Sequence, residues 1–284
     1  MQVRDKALIV DGNNLLFQMF YGLPTKIYNK RGRTIHATIG FISALQRLIK
    51  SYQINRTAVV FDCDCSMERK QILEDYKANR RQDWDQLPQD EVPFFEEEYI
   101  CQCLEYLGVC VLNSHGMEAD DLIASLALSE SKRADVFIAS FDSDFFQLID
   151  DSVSVIRYRG QNTKTITRQS FFEEYGFDPS RYALYKSLTG DSADNVKGVP
   201  MVGAKRAASI VQACANVQTL KNSELSFLSE KVKNSVKNSI SLIERNLSLI
   251  LLKEREIVGE CQVFDKERAT MTNSQILSAC GVFN

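Results

Sequence analysis

Ala7-Leu8-Ile9-Val10-Asp11-Gly12-Asn13-Asn14 sets a short apolar run directly before an acid and a glycine, and the pattern returns twice along the chain. Ala58-Val59-Val60-Phe61 runs into Asp62, and Val136-Phe137-Ile138-Ala139 is followed shortly by Asp142. Unbroken apolar runs of this length read as parallel strands buried on both faces. Between them Ile42, Leu45, Ile49 and Tyr52, then Phe95, Tyr99, Cys103 and Tyr106, recur at spacings of three and four, the period of a helix with one apolar face. Strand alternating with helix predicts an α/β fold with a doubly wound, mainly parallel central sheet. Ligands of such sheets bind outside the carboxyl ends of the strands, where these aspartates fall. A solvated acid at a strand end explains any one of them; three together favour a site. Residues 109–112 and 154–158 are further strand candidates, the second placed at a sheet edge. From Pro179 onward the pattern is mainly helical, so the expected division is an α/β core over 1–178 and a helical region over 179–284.

The chain has 284 residues and 44% hydrophobic content, enough for a full core. Charges interrupt its apolar stretches before a membrane-spanning length, and no signal peptide precedes the first strand, so a soluble, cytoplasmic protein with no membrane partner is expected. The eight cysteines include two C-x-C pairs but no C-x-x-C, and only His36 and His115 accompany them. Reduced, packed thiols in a reducing compartment fit this better than zinc. The net charge of −3 looks wrong for a nucleic-acid binder. Setting nine candidate metal-binding carboxylates aside from the 37 acidic residues leaves 28 against 34 basic ones, a net positive remainder.

Those nine are Asp11, Asp62, Glu118, Asp120, Asp121, Asp142, Asp144, Asp191 and Asp194. Glu118, Asp120 and Asp121 open an apolar-periodic helix, where acids also complement the helix dipole. In a regular helix Glu118 and Asp120 point apart, so joint ligation requires Glu118 to lie just before the helix. Asp142 and Asp144 converge only in a loop or at a helix start, whereas Asp191 and Asp194 can share one side of a turn. Acids gathered this way repel and raise one another's pKa unless cations neutralise them. An all-oxygen ligand set points to Mg2+, with Mn2+ able to substitute. Downstream, Gly198 and Gly203 allow a tight turn before a helix whose free N–H groups attract an anion.

Val10-Asp11-Gly12-Asn13-Asn14, Val59-Val60-Phe61-Asp62, Tyr76-Lys77-Ala78-Asn79-Arg80, Glu118-Ala119-Asp120-Asp121 and Leu188-Thr189-Gly190-Asp191-Ser192-Ala193-Asp194-Asn195 stand in the order of the 5′-nuclease motifs. Over roughly residues 8–208 the chain resembles that family, the flap endonucleases and bacterial 5′-3′ exonucleases. The resemblance implies a PIN-like core and a helix-hairpin-helix near 191–212. It implies that Asp11, Asp62, Glu118 and Asp120 surround a first metal and Asp142, Asp144 and Asp191 a second, with Asp121 and Asp194 in support. Tyr76, Lys77 and Arg80 would face DNA, the last two at the scissile phosphate; by spacing alone, a solvated basic face of a helix is the favoured reading of Lys77 and Arg80, and the resemblance reverses it. The hairpin, through Gly198, Val199, Gly203, Lys205 and Arg206, would hold duplex backbone, and carbonyls of Val199 and Val202 would bind K+. A short helical arch is implied near 76–98, here acidic, with Trp84 either stacking on a base or anchoring the loop. Lys231, Lys233 and Lys237 extend a duplex footprint or form a solvated helix face.

Three departures from the family pattern are Gln18 in place of a basic residue, Phe141 in place of a small one, and Ser143 in place of a lysine; no metal ligand is lost. The expected activity is two-metal hydrolysis of DNA at 5′ ends, flaps or nicks, or of RNA-primed duplex, leaving 5′-phosphate and 3′-hydroxyl ends in replication and repair. The length and the lack of a polymerase segment favour a standalone bacterial-type enzyme. The alternatives are a catalytically silent DNA-junction binder and a haloacid-dehalogenase-type phosphatase with Asp62 as nucleophile.

Overall fold

The computed structural model describes residues 4–62, 67–78, 84–114, 116–253 and 271–284. Strand β1 (Asp5–Asp11) leads through helices α1 (Gly12–Gly22) and α2 (His36–Tyr52) to β2 (Arg56–Phe61). Helices α3 (Met67–Ile72) and α4 (Glu97–Tyr106), β3 (Cys110–Asn113), α5 (Ala119–Glu130), β4 (Ala134–Ala139), β5 (Val153–Arg157) and β6 (Lys164–Ile166) follow. The sheet order is β3-β2-β1-β4-β5-β6, parallel throughout except for the antiparallel β5–β6 pair. The winding reverses between β1 and β4, so the switch point lies where Asp11 ends β1 and Asp142 follows β4.

Alternation along β1 divides the core. Leu8 and Val10 face α1, α2 and α4, while Ala7 and Ile9 face α5 and the helices beyond it. Neither face meets water, which is why these strands carry apolar residues without alternation. The expected edge at 154–158 is corrected: β6 pairs outside β5. Its run Lys164-Thr165-Ile166 is too short and polar to stand out as a strand.

Helices α6 (Arg168–Tyr175) and α7 (Tyr182–Thr189) lead to a two-stranded ribbon, β7 (Gly190–Asp191) with β8 (Val196–Lys197). Helices α8 (Ala204–Ala213), α9 (Val217–Asn222), α10 (Glu230–Asn238) and α11 (Ile240–Ile250) follow. Ala207, Ile210 and Val211 of α8 and Val232, Val236 and Ile243 belong to the same buried cluster as Ile9 and Ile138, so one core runs from the sheet into the helices. The last helix, α12 (Asn273–Ala279), leaves that group and packs Ile276 and Leu277 on the opposite face of the sheet, with α2 and α4. Within the expected helical region over 179–284, α12 thus sits with the helices of the N-terminal core.

Between α3 and α4, the described part of the expected arch is three short 3-10 turns, Trp84–Gln86, Gln89–Glu91 and Pro93–Glu96. They pack on the body: the fully buried Glu96 accepts from the Thr38 backbone N–H (2.7 Å) and hydroxyl (2.9 Å). Trp84 meets Phe17 and Phe94 edge-on, so it anchors the loop.

Of the two hairpin glycines, only Gly198 is demanded by space. A Cβ there would lie 2.2 Å from the Thr189 carbonyl oxygen, while at Gly203 nothing lies within 4 Å. The left-handed turn positions belong instead to Asn195 (φ 60°) and Met201 (φ 64°). Gly198→Ala must push β8 off the end of α7, and a loss of at least roughly 1–3 kcal/mol in urea unfolding is expected; Gly203→Ala is the control that should leave the midpoint nearly unchanged.

Candidate active site at the switch point

The acids reach the switch point from five separate stretches of chain. Asp11 caps α1, its Oδ1 accepting from the Asn14 backbone N–H (3.0 Å) and its Oδ2 from the Ser140 hydroxyl (2.8 Å). Asp62 follows β2 and accepts from the Ser114 hydroxyl (2.9 Å). Glu118 is extended (ψ 146°) and sits immediately before α5, the placement needed for it to point with Asp120. Asp142 is likewise extended before the 3-10 turn Ser143–Leu148, and its Oδ1 accepts from the Asp144 backbone N–H (2.8 Å). Asp144, Asp191 and Asp194 place a carboxylate oxygen each within 4.8 Å of one another.

These groups feel one another. Burial, reinforced by Asp142 and Asp62, pushes Asp11 up to about 6 despite its two hydrogen bonds. Burial and then Asp142 raise Asp120 well above the carboxylate range. Asp62 is raised by burial, with Glu118 adding to it and Lys77 opposing. Asp144 is pushed up to about 7 by burial and Asp142, whereas Lys186 holds Asp191 below its ordinary value against the pull of burial. Asp142 therefore lies in electrostatic reach of both groups of acids.

Two lysines neutralise part of this charge. Lys77 Nζ lies 2.9 Å from Glu118 and 3.8 Å from Asp120. Against burial, those acids raise its pKa. The expected helical placement of Lys77 is corrected: α3 ends at Ile72, and Lys77 occupies a left-handed turn (φ 54°) tied by its N–H to the Asp194 carbonyl (3.2 Å). Lys186, which sequence reasoning missed, bridges Asp144 and Asp191 from within α7. Its only sequence signal is a lysine on an otherwise buried helix five residues before an acid.

Asp121 is withdrawn from the pocket. Both its oxygens are taken by the guanidinium of the buried Arg69 (2.8 and 2.9 Å), and it accepts the Lys253 backbone N–H as well. Asp121 thus stands as the partner of a buried guanidinium, unlike the acids that gather at the switch point. Arg69 also touches Glu118 at 3.1 Å. Tyr76 is buried between Glu118 (3.5 Å) and Asp194 (3.3 Å), where it orients acids and offers little surface to DNA.

On the hairpin, Gly203 precedes α8 and leaves its N-terminus exposed beside the exposed Lys205. Arg206 instead donates to the Met201 carbonyl (2.6 Å), closing the turn. Val199 and Val202 bury their side chains, and the Val199 carbonyl accepts the Val202 N–H (3.1 Å). Lys237 caps α9 through the carbonyls of Leu220 and Lys221, and Lys233 pairs with Glu230 (3.6 Å). Arg80 lies outside the described residues, as do Cys63, Asp64, Cys65, His115 and Cys261. No helix among the described residues is long and apolar enough to cross a membrane.

The donor set is all oxygen, and the Asp144, Asp191 and Asp194 oxygens lie no further apart than two bonds of about 2.1–2.5 Å to a shared ion allow. Hard divalent cations fit it. The raised carboxylates add a measurable consequence. Asp11 and Asp144 bind protons more tightly folded than unfolded, so their stabilising contribution is complete below about pH 4 and is lost as pH rises through 6 and 7. In chelator, the melting temperature is expected to fall between pH 5 and 7.5, by on the order of a few kcal/mol of stability. Added divalent cation should remove the fall; a metal-free protein more stable at pH 7.5 would contradict the crowding.

Residues 6–176 match the family described as 5'-3' exonuclease, N-terminal resolvase-like domain, and residues 177–266 match the 5'-3' exonuclease, C-terminal SAM fold. DNA polymerase I of Mycobacterium bovis is 32% identical over 253 residues, covering 87% of this chain but only 27% of the polymerase. A 5'-3' exonuclease of Buchnera aphidicola is 28% identical over 238 residues, 83% of this chain and 80% of that protein. Among solved structures, a bacteriophage T5 flap endonuclease in a pseudo-enzyme-product complex with DNA and metal ions superimposes with a TM-score of 0.71 at 27% identity, covering 86% of this chain and 88% of that one.

Proposed function

The chain belongs to the 5′-3′ exonuclease family, and from that premise we propose that it is a structure-specific 5′ nuclease cutting DNA phosphodiesters to leave 5′-phosphate and 3′-hydroxyl ends. The observation that carries the proposal is the convergence of Asp11, Asp62, Glu118, Asp120, Asp142, Asp144, Asp191 and Asp194, from five separate stretches of chain, on one switch point. The substrates proposed are DNA with 5′ ends, flaps or nicks, and RNA-primed duplex, acted on inside the cell in replication and repair. The proposed division is a nuclease core over 1–178 and a DNA-gripping helical region from 179.

Asp11, Asp62, Glu118 and Asp120 would hold one Mg2+, and Asp144, Asp191 and Asp194 a second, with Asp142 between them. Bound there, the ions supply activation of water and neutralisation of charge at the scissile phosphate. Lys77, kept protonated by Glu118 and Asp120, presents positive charge where the phosphate gains negative charge, and Arg80 is proposed to join it. Lys186 holds Asp144 and Asp191 in register until a cation replaces its charge. The α8 N-terminus and Lys205 grip duplex backbone without reading sequence, and K+ is proposed at the Val199 and Val202 carbonyls.

A 5′-labelled flap duplex incubated with the protein and Mg2+ tests the reading. Release of short labelled fragments, abolished by chelator, is expected; retained DNA affinity with no product would mark a silent binder. Comparing product lengths on flap, nicked and RNA-primed duplexes ranks the substrates. In the same assay Lys77→Ala is expected to lower kcat by roughly 10²-fold with a small change in KM, as for loss of one preorganised charge.

A further inference from the structure

Beside the acids, Asn14, Phe17, Gln18, Phe141 and Arg159 line a notch of about 280 Å³. It shares a wall with the active site. Asn14 gives its backbone N–H to Asp11 and accepts the Phe141 N–H (3.1 Å) on its side chain, and Phe141 directly precedes Asp142. The exposed Arg159 extends from the end of β5 with its guanidinium carbon 5.1 Å from the Phe141 ring centroid. Among the described residues no carboxylate lies within ion-pair distance of it. Gln18 donates its amide to the Tyr158 carbonyl (2.5 Å), and among the described residues that line the notch Arg159 is the one charged side chain. Phe17 is held on the other side by edge contacts to Trp84 (5.8 Å) and Phe94 (5.3 Å).

A planar cation held over an aromatic ring, with no carboxylate among the described residues in ion-pair reach, is preorganised for a phosphate, since its N–H fork is oriented before binding. Two fixed aromatic side chains beside it offer a sequence-tolerant surface for a base. We infer that this notch seats one nucleotide of the cleaved strand next to the scissile phosphate, its own phosphate on Arg159 and its base against Phe141 and Phe17. The inference rests on the nuclease reading and adds Arg159 as a positioning residue for substrate.

The test uses the full chain and a 5′-flap duplex. Binding is measured in chelator across a salt series and cleavage in Mg2+. For Arg159→Ala, binding roughly tenfold weaker is expected, as for loss of a charged hydrogen-bonded contact. KM should rise far more than kcat falls. The slope of log affinity against log salt should become shallower by about one, the signature of one phosphate contact. Arg159→Lys should keep the slope while recovering only part of the affinity. With 2-aminopurine placed singly along the cleaved strand, one position should be quenched on binding to the wild type and lose that quench in Phe141→Leu. An unchanged slope, an unchanged KM, or a fall in kcat alone would overturn the inference while wild-type cleavage still upheld the nuclease reading. A wild type that cuts nothing would remove that reading itself.

Discussion

Asp142→Asn is expected to lower flap cleavage in Mg2+ by at least roughly 10²–10³-fold while leaving metal-free DNA binding intact and raising the metal-free melting temperature. The two halves of this result have one cause. Asp142 stands in electrostatic reach of Asp11, Asp120 and Asp144, and it helps raise all three. Without cations its charge is a burden on the fold, so neutralising it relieves repulsion. With cations the same charge draws the two groups of acids onto a shared pair of ions, and the amide offers one oxygen with no net charge. The amide keeps the shape of the acid, and its carbonyl can still accept the Asp144 N–H that sets the 3-10 turn. Cleavage assays and thermal melts in chelator, run on the same preparation, measure both. A variant that is inactive and also less stable would mean that Asp142 holds the fold together and that its loss says nothing of chemistry.

What the sequence made legible follows from which signals are local. Asp11, Asp62 and Asp142 stood out because each ends a run of apolar residues that only a doubly covered strand requires, and the strands are where those runs are. The demand that Glu118 precede its helix came from side-chain geometry two residues apart, and it is met. Lys186 and Arg69 were not legible, because a basic residue on a short helix looks solvated until a distant acid is brought against it. Arg69 and Asp121 are 52 positions apart, and neither local pattern encodes their meeting. The same blindness assigned Asp121 to the metal site: its neighbours in sequence are ligand candidates, while its neighbour in space is a guanidinium. Lys77 was placed on a helix by spacing, but its turn is set by a backbone bond to Asp194, far along the chain.

Arg69→Met is expected to cost about 3–5 kcal/mol, the largest stability loss among the single changes considered. Arg69 is 2% exposed, and its N–H groups are divided between Asp121, Glu118 and the Leu249 carbonyl in the last turn of α11 (2.8 Å). Methionine fills most of the volume but leaves Asp121, itself 1% exposed, as a buried carboxylate whose remaining donor among the described residues is the Lys253 N–H. The cost therefore comes from the stranded acid more than from the lost bonds. Adding Asp121→Leu to Arg69→Met removes that acid, and the double variant should regain most of the loss, since well-packed apolar replacements of buried ion pairs are often neutral. Urea unfolding of the single and double variants reads both numbers. Metal titration then separates structure from ligation: if Asp121 serves Arg69 alone, the double variant binds divalent cation as the wild type does, provided Lys77 still holds Glu118. A double variant that refolds fully but loses cation affinity would return Asp121 to the metal site and would require its carboxylate to leave Arg69 when an ion arrives.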